Sequence, residues 1–272
     1  MDRQLEKQNR GFTIFDLKIL GIILMFIDHI HEMFALMGAP DWIDWFGRPV
    51  ATLFFFVSAE GFSHTRNKQK YLQRLLIGFW VMGAGNFVIQ RLFPLGDMGL
   101  VNNIFADLFV AVLAMYGTDL IKEGYFKKNI HKFALGLLCM LLPILLSGIA
   151  LLLMSNPATI VPGVSIGLVF PTLIFTENFI MVYLATLLYL LRNKRVLQCV
   201  AIAAVSLLFA ASNLQELFTA NTQWMMIFSI IPIALYNGER GKGMKQFFYV
   251  FYPAHIWLLY LFAVFIFNHF YS

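Results

Sequence analysis

The residues best suited to chemistry stand on a stretch of sequence that disfavours them. From Leu17 to Phe34 the chain reads LKILGIILMFIDHIHEMF, long and apolar enough for a membrane span, yet its second half carries Asp28, His29, His31 and Glu32. Ionisable side chains are costly in hydrocarbon and are expected to face a protein interior or a water-filled cavity. A carboxylate can orient an imidazole and stabilise its protonated form, so Asp28 and His29 suit general-base chemistry. Adjacent helical residues point about 100° apart, which equally lets Asp28 partner another helix while His29 faces a substrate. Lys18 stands near the start of the stretch, ~16 Å from His29 along a helix, about half the hydrocarbon thickness. Polar glue between helices is the blander reading. Two carboxylates and two histidines within five residues exceed what glue needs.

Two further stretches carry candidate chemistry. The first, GRPVATLFFFVSAEGFSHTRNKQKYLQR, has Arg48 at one end and Glu60 in the small-residue patch Ser58-Ala59-Glu60-Gly61. His64, Arg66, Asn67, Lys68, Lys70, Tyr71 and Arg74 follow as a basic loop. Such a loop can be plain positive-inside charge, or a phosphate-binding edge beside an intramembrane acid. Arginine's planar fork suits phosphates, and an adenine ring can stack on an aromatic such as Tyr71. The second stretch, YNGERGKGMKQFFYVFYPAH, puts Asn237, Arg240, Lys242 and Lys245 on a glycine-rich loop. It lacks the strand and the GK[ST] ending of a Walker loop. Pro253 can kink the helix that follows, beside His255. Elsewhere Asn102, Asn103 and Asp107 read as the capping of a helix start. Glu177 and Asn178 lie inside an apolar stretch and require partners, with Arg48 or Arg91 the expected ones.

The elements that must hold these residues are membrane helices. Of 272 residues, 60% are hydrophobic and 13% charged, with mean hydropathy +0.73. A soluble protein carries about twice that charged fraction. The expected fold is an all-α integral membrane protein, a polytopic helical bundle in one domain over 1–272. Apolar length and punctuation predict nine spans, with eight or ten as alternatives: 14–37, 46–63, 75–93, 104–121, 133–154, 169–191, 196–212, 222–236 and 247–267. The polar N-terminal arm is followed by no signal-peptide cleavage pattern, so the first helix is expected to be retained. Cys139 and Cys199 have neither metal nor disulfide spacing and read as buried small hydrophobes.

With the N-terminus inside, eighteen of the twenty Lys and Arg residues fall on the cytoplasmic side, and only Arg48 and Arg91 on the other. That bias predicts a multi-pass protein of the cell (cytoplasmic) membrane with its N-terminus inside and, for nine spans, its C-terminus outside. The positive charge is then an orientation signal rather than a nucleic-acid surface.

The strings LKILGIILMFIDHIHEM, EGFSHTRNKQKYLQRLL and YNGERGKGMKQFFYVFYPAHIWLLYL together resemble the TraX family, in order and in spacing; the middle third, about 130–210, carries little of the likeness. That family includes a pilin acetylase and is similar to the wider membrane acyltransferases marked by Lys or Arg, ten residues, then His. Lys18 and His29 reproduce that spacing. The segment LFFFVSAEGF resembles the second motif of those enzymes, with Ala59-Glu60 standing between Ser58 and Gly61. His31-Glu32 also stand where the family pattern has a small residue.

The resemblance implies a catalytic His29 assisted by Asp28; Glu60 and His255 are further catalytic candidates on the reading of the residues themselves. It implies a cytoplasmic acyl donor, acetyl-CoA, with Arg66, Asn67, Arg74, Asn237 and Arg240 on its phosphates; Lys18 and Tyr71 join that donor set on their positions in the sequence, and no metal is expected. The acceptor, a peptide N-terminus, glycan or lipid, would be met by Arg48, His31, Glu32 and Glu177. Two other functions suit the same residues: a proton-coupled transporter or channel using an Asp28/His29/Glu60 relay, or a non-catalytic assembly factor. A proton path does not need the two basic, Asn-bearing loops; a CoA phosphate does.

Overall fold

A computed structural model describes residues 11–270, the side chain of Lys245 excepted. Within that range the fold is helical, and the two isolated bridges Phe12 with Tyr236 and Leu95 with Met98 are its only β pairing. Helix α1 (Ile14–Phe34) begins at a reciprocal cap, in which Asp16 N–H donates to Thr13 Oγ1 at 3.3 Å and Thr13 N–H donates to Asp16 Oδ2 at 2.9 Å. A helix start leaves further N–H groups unpaired. Here a distant loop takes two of them, as Ile14 N–H donates to Glu239 O at 2.9 Å and Phe15 N–H to Arg240 O at 3.2 Å. The loop before the last helix is thereby fastened, with its basic residues, to the start of α1.

Two helices form the centre. In α2 (Arg48–Ser63), Leu53, Phe55, Phe56, Ala59 and Phe62 are all fully buried. In α4 (Ile104–Phe126), 78% of the apolar window is buried, against 17–39% in the other long helices. A helix apolar on every side belongs inside a bundle. Helices α3 (Lys68–Leu92) and α5 (Ile130–Met154) flank α4, and α5 comes closest through glycines. A Cβ on Gly117 would lie 2.7 Å from Gly136 O, and one on Gly136 would lie 2.6 Å from Gly117 O, so neither position admits a side chain. Outward-facing Phe87, Leu152, Leu208 and Phe265 leave an apolar exterior suited to lipid.

Among the described residues, six helices are long and apolar enough to cross a membrane: Ile14–Met37, α3, α4, α5, α8 (Arg195–Ser212) and most of α10 (Lys245–Phe270). They correspond to six of the nine predicted spans; the other three differ. The stretch 46–63 is α2, sixteen residues long. The stretch 222–236 is a 3-10 turn, Gln223–Ser229, running into the short α9 (Ile230–Ala234).

The predicted span 169–191 is not one helix. It holds the end of α6 (Ile160–Val169), a 3-10 turn at Leu173–Phe175, and α7 (Val182–Leu190). Pro171 pushes Phe170 into extended backbone and ends α6. Asp107 on α4 then accepts Glu177 N–H at 3.2 Å and Asn178 N–H at 2.9 Å, giving the unwound backbone partners that a helix would otherwise supply.

Candidate functional site

The chemistry-bearing residues divide between two cavities set along α1. The first, of about 280 Å³, opens among the start of α1, the loop between α2 and α3, and the loop before α10. Its exposed rim includes Arg74, Arg240 and Lys242, with Lys18 and Asn67 beside them. Aromatic rings follow inward. Lys18 Nζ lies 4.9 Å from the centre of the Phe248 ring, and Tyr71 is held by a hydroxyl–hydroxyl bond to Ser58 at 2.9 Å. Cationic rim and aromatic walls are the donor set that phosphates and a purine ring call for. Glu60 also lines this cavity, buried, with Arg195 Nη2 3.7 Å from Oε1. The Arg195 guanidinium itself lies over Phe56 and Tyr236, at 4.5 and 4.8 Å.

The second cavity, of about 160 Å³, is lined by Asp28, His29, Arg48, Glu177, Asn178 and Gln223. Arg48 donates to Asp44 and, at 3.4 Å, to Gln223 Oε1. The carboxylate of Asp28 lies against the backbone of Gly47, where any Cβ would overlap it, so glycine is what admits the acid there. The ring partner of His29 is therefore not its neighbour Asp28. It is His255 on α10: His29 Nδ1 and His255 Nε2 are 2.9 Å apart and the rings stack with centroids 5.1 Å apart.

The far side of His255 decides which nitrogen carries which proton. His255 Nδ1 is 2.9 Å from Phe251 O, a carbonyl that can only accept, so Nδ1 bears the hydrogen. In the neutral ring Nε2 is then an acceptor, and His29 Nδ1 must donate to it. The remaining nitrogen of His29, Nε2, keeps its lone pair. Its nearest acid is Glu32 Oε2 at 3.9 Å, beyond hydrogen-bond reach. The pair thus presents an imidazole in one tautomer with a basic nitrogen available, the state a general base requires.

A chain of hydrogen bonds braces this pair. Trp257 Nε1–H donates to Asn86 Oδ1 at 2.9 Å, Asn86 Nδ2 donates to Asn102 O at 2.9 Å, and Asn102 Nδ2 donates to both oxygens of Glu32, at 2.9 and 2.8 Å. On the other flank Ile104 N–H donates to Tyr252 Oη at 2.9 Å, and the Tyr252 hydroxyl reaches Glu177 Oε1 at 3.4 Å. Glu177 also accepts Asn103 N–H.

The structure separates residues that the sequence grouped. Lys18, Asn67, Tyr71, Arg74 and Arg240 gather at the basic cavity, and Asp28, His29, Arg48 and Glu177 at the acidic one. Glu60, grouped with His29 among the catalytic candidates, sits with the basic set, beside the loop it precedes in sequence. Arg66 is exposed and outside the residues lining that cavity; half-buried Asn237 is outside them too, and its Oδ1 accepts Glu239 N–H at 2.9 Å and so shapes the turn. His31 pairs with Asp41 at 3.6 Å at the end of α1. The partners of Glu177 are Asn103 and Tyr252, rather than Arg48 or Arg91.

Asn103 does not cap α4 with its side chain, which donates instead to Phe79 O at 3.1 Å. Asn102, Asp107, Asp44, Gln223 and Tyr252 all belong to the site, and sequence reasoning gave none of them a role in it. For Asn102, Asn103 and Asp107 the signal was present: three polar residues within six positions at the mouth of the most apolar-buried helix. Among the described residues, no group of three or more His, Cys, Asp or Glu side chains is placed to hold a metal ion.

The family model described as "TraX protein" matches residues 15–263. Among curated proteins the chain is similar to the "Probable fimbrial assembly protein FimC, serogroup H1" of Dichelobacter nodosus, 26% identical over 276 residues, covering 93% of this chain and 96% of that protein. No solved structure matches. The family match spans both cavities, from the first turn of α1 to beyond His255, and this chain belongs to the TraX family.

Proposed function

We propose that the chain is a membrane-embedded, acyl-CoA-dependent acyltransferase, with acetyl-CoA as donor and a hydroxyl or amine of a peptide N-terminus, glycan or other cell-envelope acceptor. One observation carries the reading: Lys18 and His29 lie on one helix yet line two different cavities, basic and acidic, that meet inside the fold. A donor with a phosphorylated adenine end suits the first, where Arg74, Arg240 and Lys242 surround aromatic walls. An uncharged or cationic acceptor suits the second, where carboxylates outnumber Arg48. The Lys and Arg bias of the sequence supports a cytoplasmic location for the basic cavity in the cell membrane, with the N-terminus on the same side.

The donor supplies a thioester, whose C–S bond breaks as the acceptor's new bond to the acyl carbon forms, the electron pair leaving on the thiolate. His29 Nε2 takes the acceptor's proton. His255 holds His29 in the required tautomer through Nδ1, and the Phe251 carbonyl holds His255. Asp28 lines the cavity that receives the acceptor, rather than bonding directly to the ring.

A second reading is a non-catalytic assembly factor, favoured by the name of the Dichelobacter relative, a probable fimbrial assembly protein. The two readings separate in one experiment. Protein in lipid nanodiscs is titrated with acetyl-CoA, then incubated with radiolabelled acetyl-CoA and a peptide bearing a free N-terminal amine. Saturable binding and label on the peptide are expected of the acyltransferase. An assembly factor would bind no acetyl-CoA, and that result would sink the proposal.

A further inference from the structure

The two cavities share three lining residues, Met25, Ile104 and Tyr252, which form the partition between them. All three are buried. Two are fixed. Ile104 opens α4 and its N–H donates to Tyr252 Oη, and Tyr252 in turn packs edge-on against Phe105, with ring centroids 5.4 Å apart, and reaches Glu177. Met25 has no such tether, since its thioether is an unbranched chain with three rotatable bonds. It lies one helical turn before His29, so both residues fall on the same face of α1. Met25 is thus the member of the shared wall that stands on the helix of His29, one turn before it.

We propose, resting on the acyltransferase reading above, that Met25 sets the length of acyl group that the basic cavity can present to His29, limiting the donor to short acyl thioesters. The reaction itself is unchanged: the acyl carbon passes from sulfur to the acceptor and the acceptor's proton goes to His29 Nε2. Met25 decides which acyl chains bring their carbonyl to that point. On this proposal a two-carbon acyl group stops short of the partition. Each further methylene has to displace Met25 or fold back among Phe54, Leu108 and Phe251, which line the basic cavity around the partition. Ile104 and Tyr252 cannot yield without breaking the Ile104–Tyr252–Glu177 chain, so the adjustable member of the wall is the one that discriminates.

The test reads binding, which depends on neither the acceptor nor turnover. Protein in nanodiscs is titrated calorimetrically with acetyl-, butyryl- and hexanoyl-CoA. In the wild type, affinity should fall as the acyl chain grows. In Met25→Ala the hexanoyl-to-acetyl affinity ratio should rise by roughly tenfold or more, the discrimination that methylenes in an apolar pocket supply. In Met25→Phe the ratio should move the other way. If Met25→Ala fails to fold, as seen by loss of a monodisperse elution peak, Met25→Phe alone decides the sign. A ratio unmoved in the folded variants overturns the inference and leaves the acyltransferase reading standing. A wild type that binds none of the three donors overturns both.

Discussion

The two cavities differ in how their walls are held. Around the basic one, the charged groups sit on exposed helix ends and on the glycine-rich loop before α10, where long side chains can adjust to a ligand. Around the acidic one, four of the site's side chains are bonded to other parts of the protein: His29 to His255, Glu32 to Asn102, Glu177 to Asn103, Tyr252 to Ile104. Holding a large anion requires charge in the right region. Moving a proton at a defined atom requires geometry fixed to a fraction of an ångström. Under the proposed acyltransferase function, the basic cavity captures the donor and the acidic one carries the chemistry.

If that division is right, substitutions should separate turnover from donor affinity. The largest effect is expected at His29: His29→Ala should lower acetyl transfer by ~10²–10⁴-fold, the usual range for a lost general base, with acetyl-CoA affinity held. A parallel fall in affinity would break the comparison. Next comes His255, which acts through His29. His255→Leu should cost ~10²-fold in kcat with little change in KM for acetyl-CoA, the penalty of a misplaced catalytic group. His255→Gln keeps an acceptor for His29 Nδ1–H and should recover part of the loss, which a purely packing role would not give. The smallest effect lies at the rim. Arg74→Ala and Arg240→Ala should each weaken acetyl-CoA binding by about ten- to a hundredfold, as expected for a lost charge-assisted hydrogen bond, without lowering saturated turnover. Arg66→Ala should change little, because Arg66 lies outside the lining, and added salt should shrink the rim effects first.

The sequence reveals the basic cavity better than the acidic one. Lys18, Asn67, Tyr71, Arg74 and Arg240 were legible because basic residues cluster where the chain leaves the membrane, and composition alone marks such places. Asp28 and His29 were legible as ionisable groups on an apolar stretch. What could not be read is which groups would meet across the bundle. His255 lies 226 positions from His29, and nothing local to either reports the pairing. Asp28 invites pairing with its sequence neighbour, yet consecutive helical positions face different directions and Gly47 opens a place for the carboxylate elsewhere. The same limit applies to the fold. Long helices declared themselves by apolar length, but the stretch 169–191 is apolar enough to pass for another. Its unwinding depends on Asp107, sixty to seventy residues earlier, which looked like an ordinary helix-start residue.

That bond from Asp107 bears on how the protein is made. The amides of Glu177 and Asn178 have no helix to serve them, and a bare backbone of this kind is unstable in lipid. They become tolerable at membrane depth only where an acceptor already waits. Asp107 stands at the head of a helix translated well before them, and Asn103, whose N–H meets the Glu177 carboxylate, is beside it. Synthesis from the N-terminus therefore delivers the receptor before the segment that requires it. A chain rearranged so that 170–181 emerged ahead of α4 would have to hold that segment in the insertion machinery, or lose it to quality control, until its acceptor arrived.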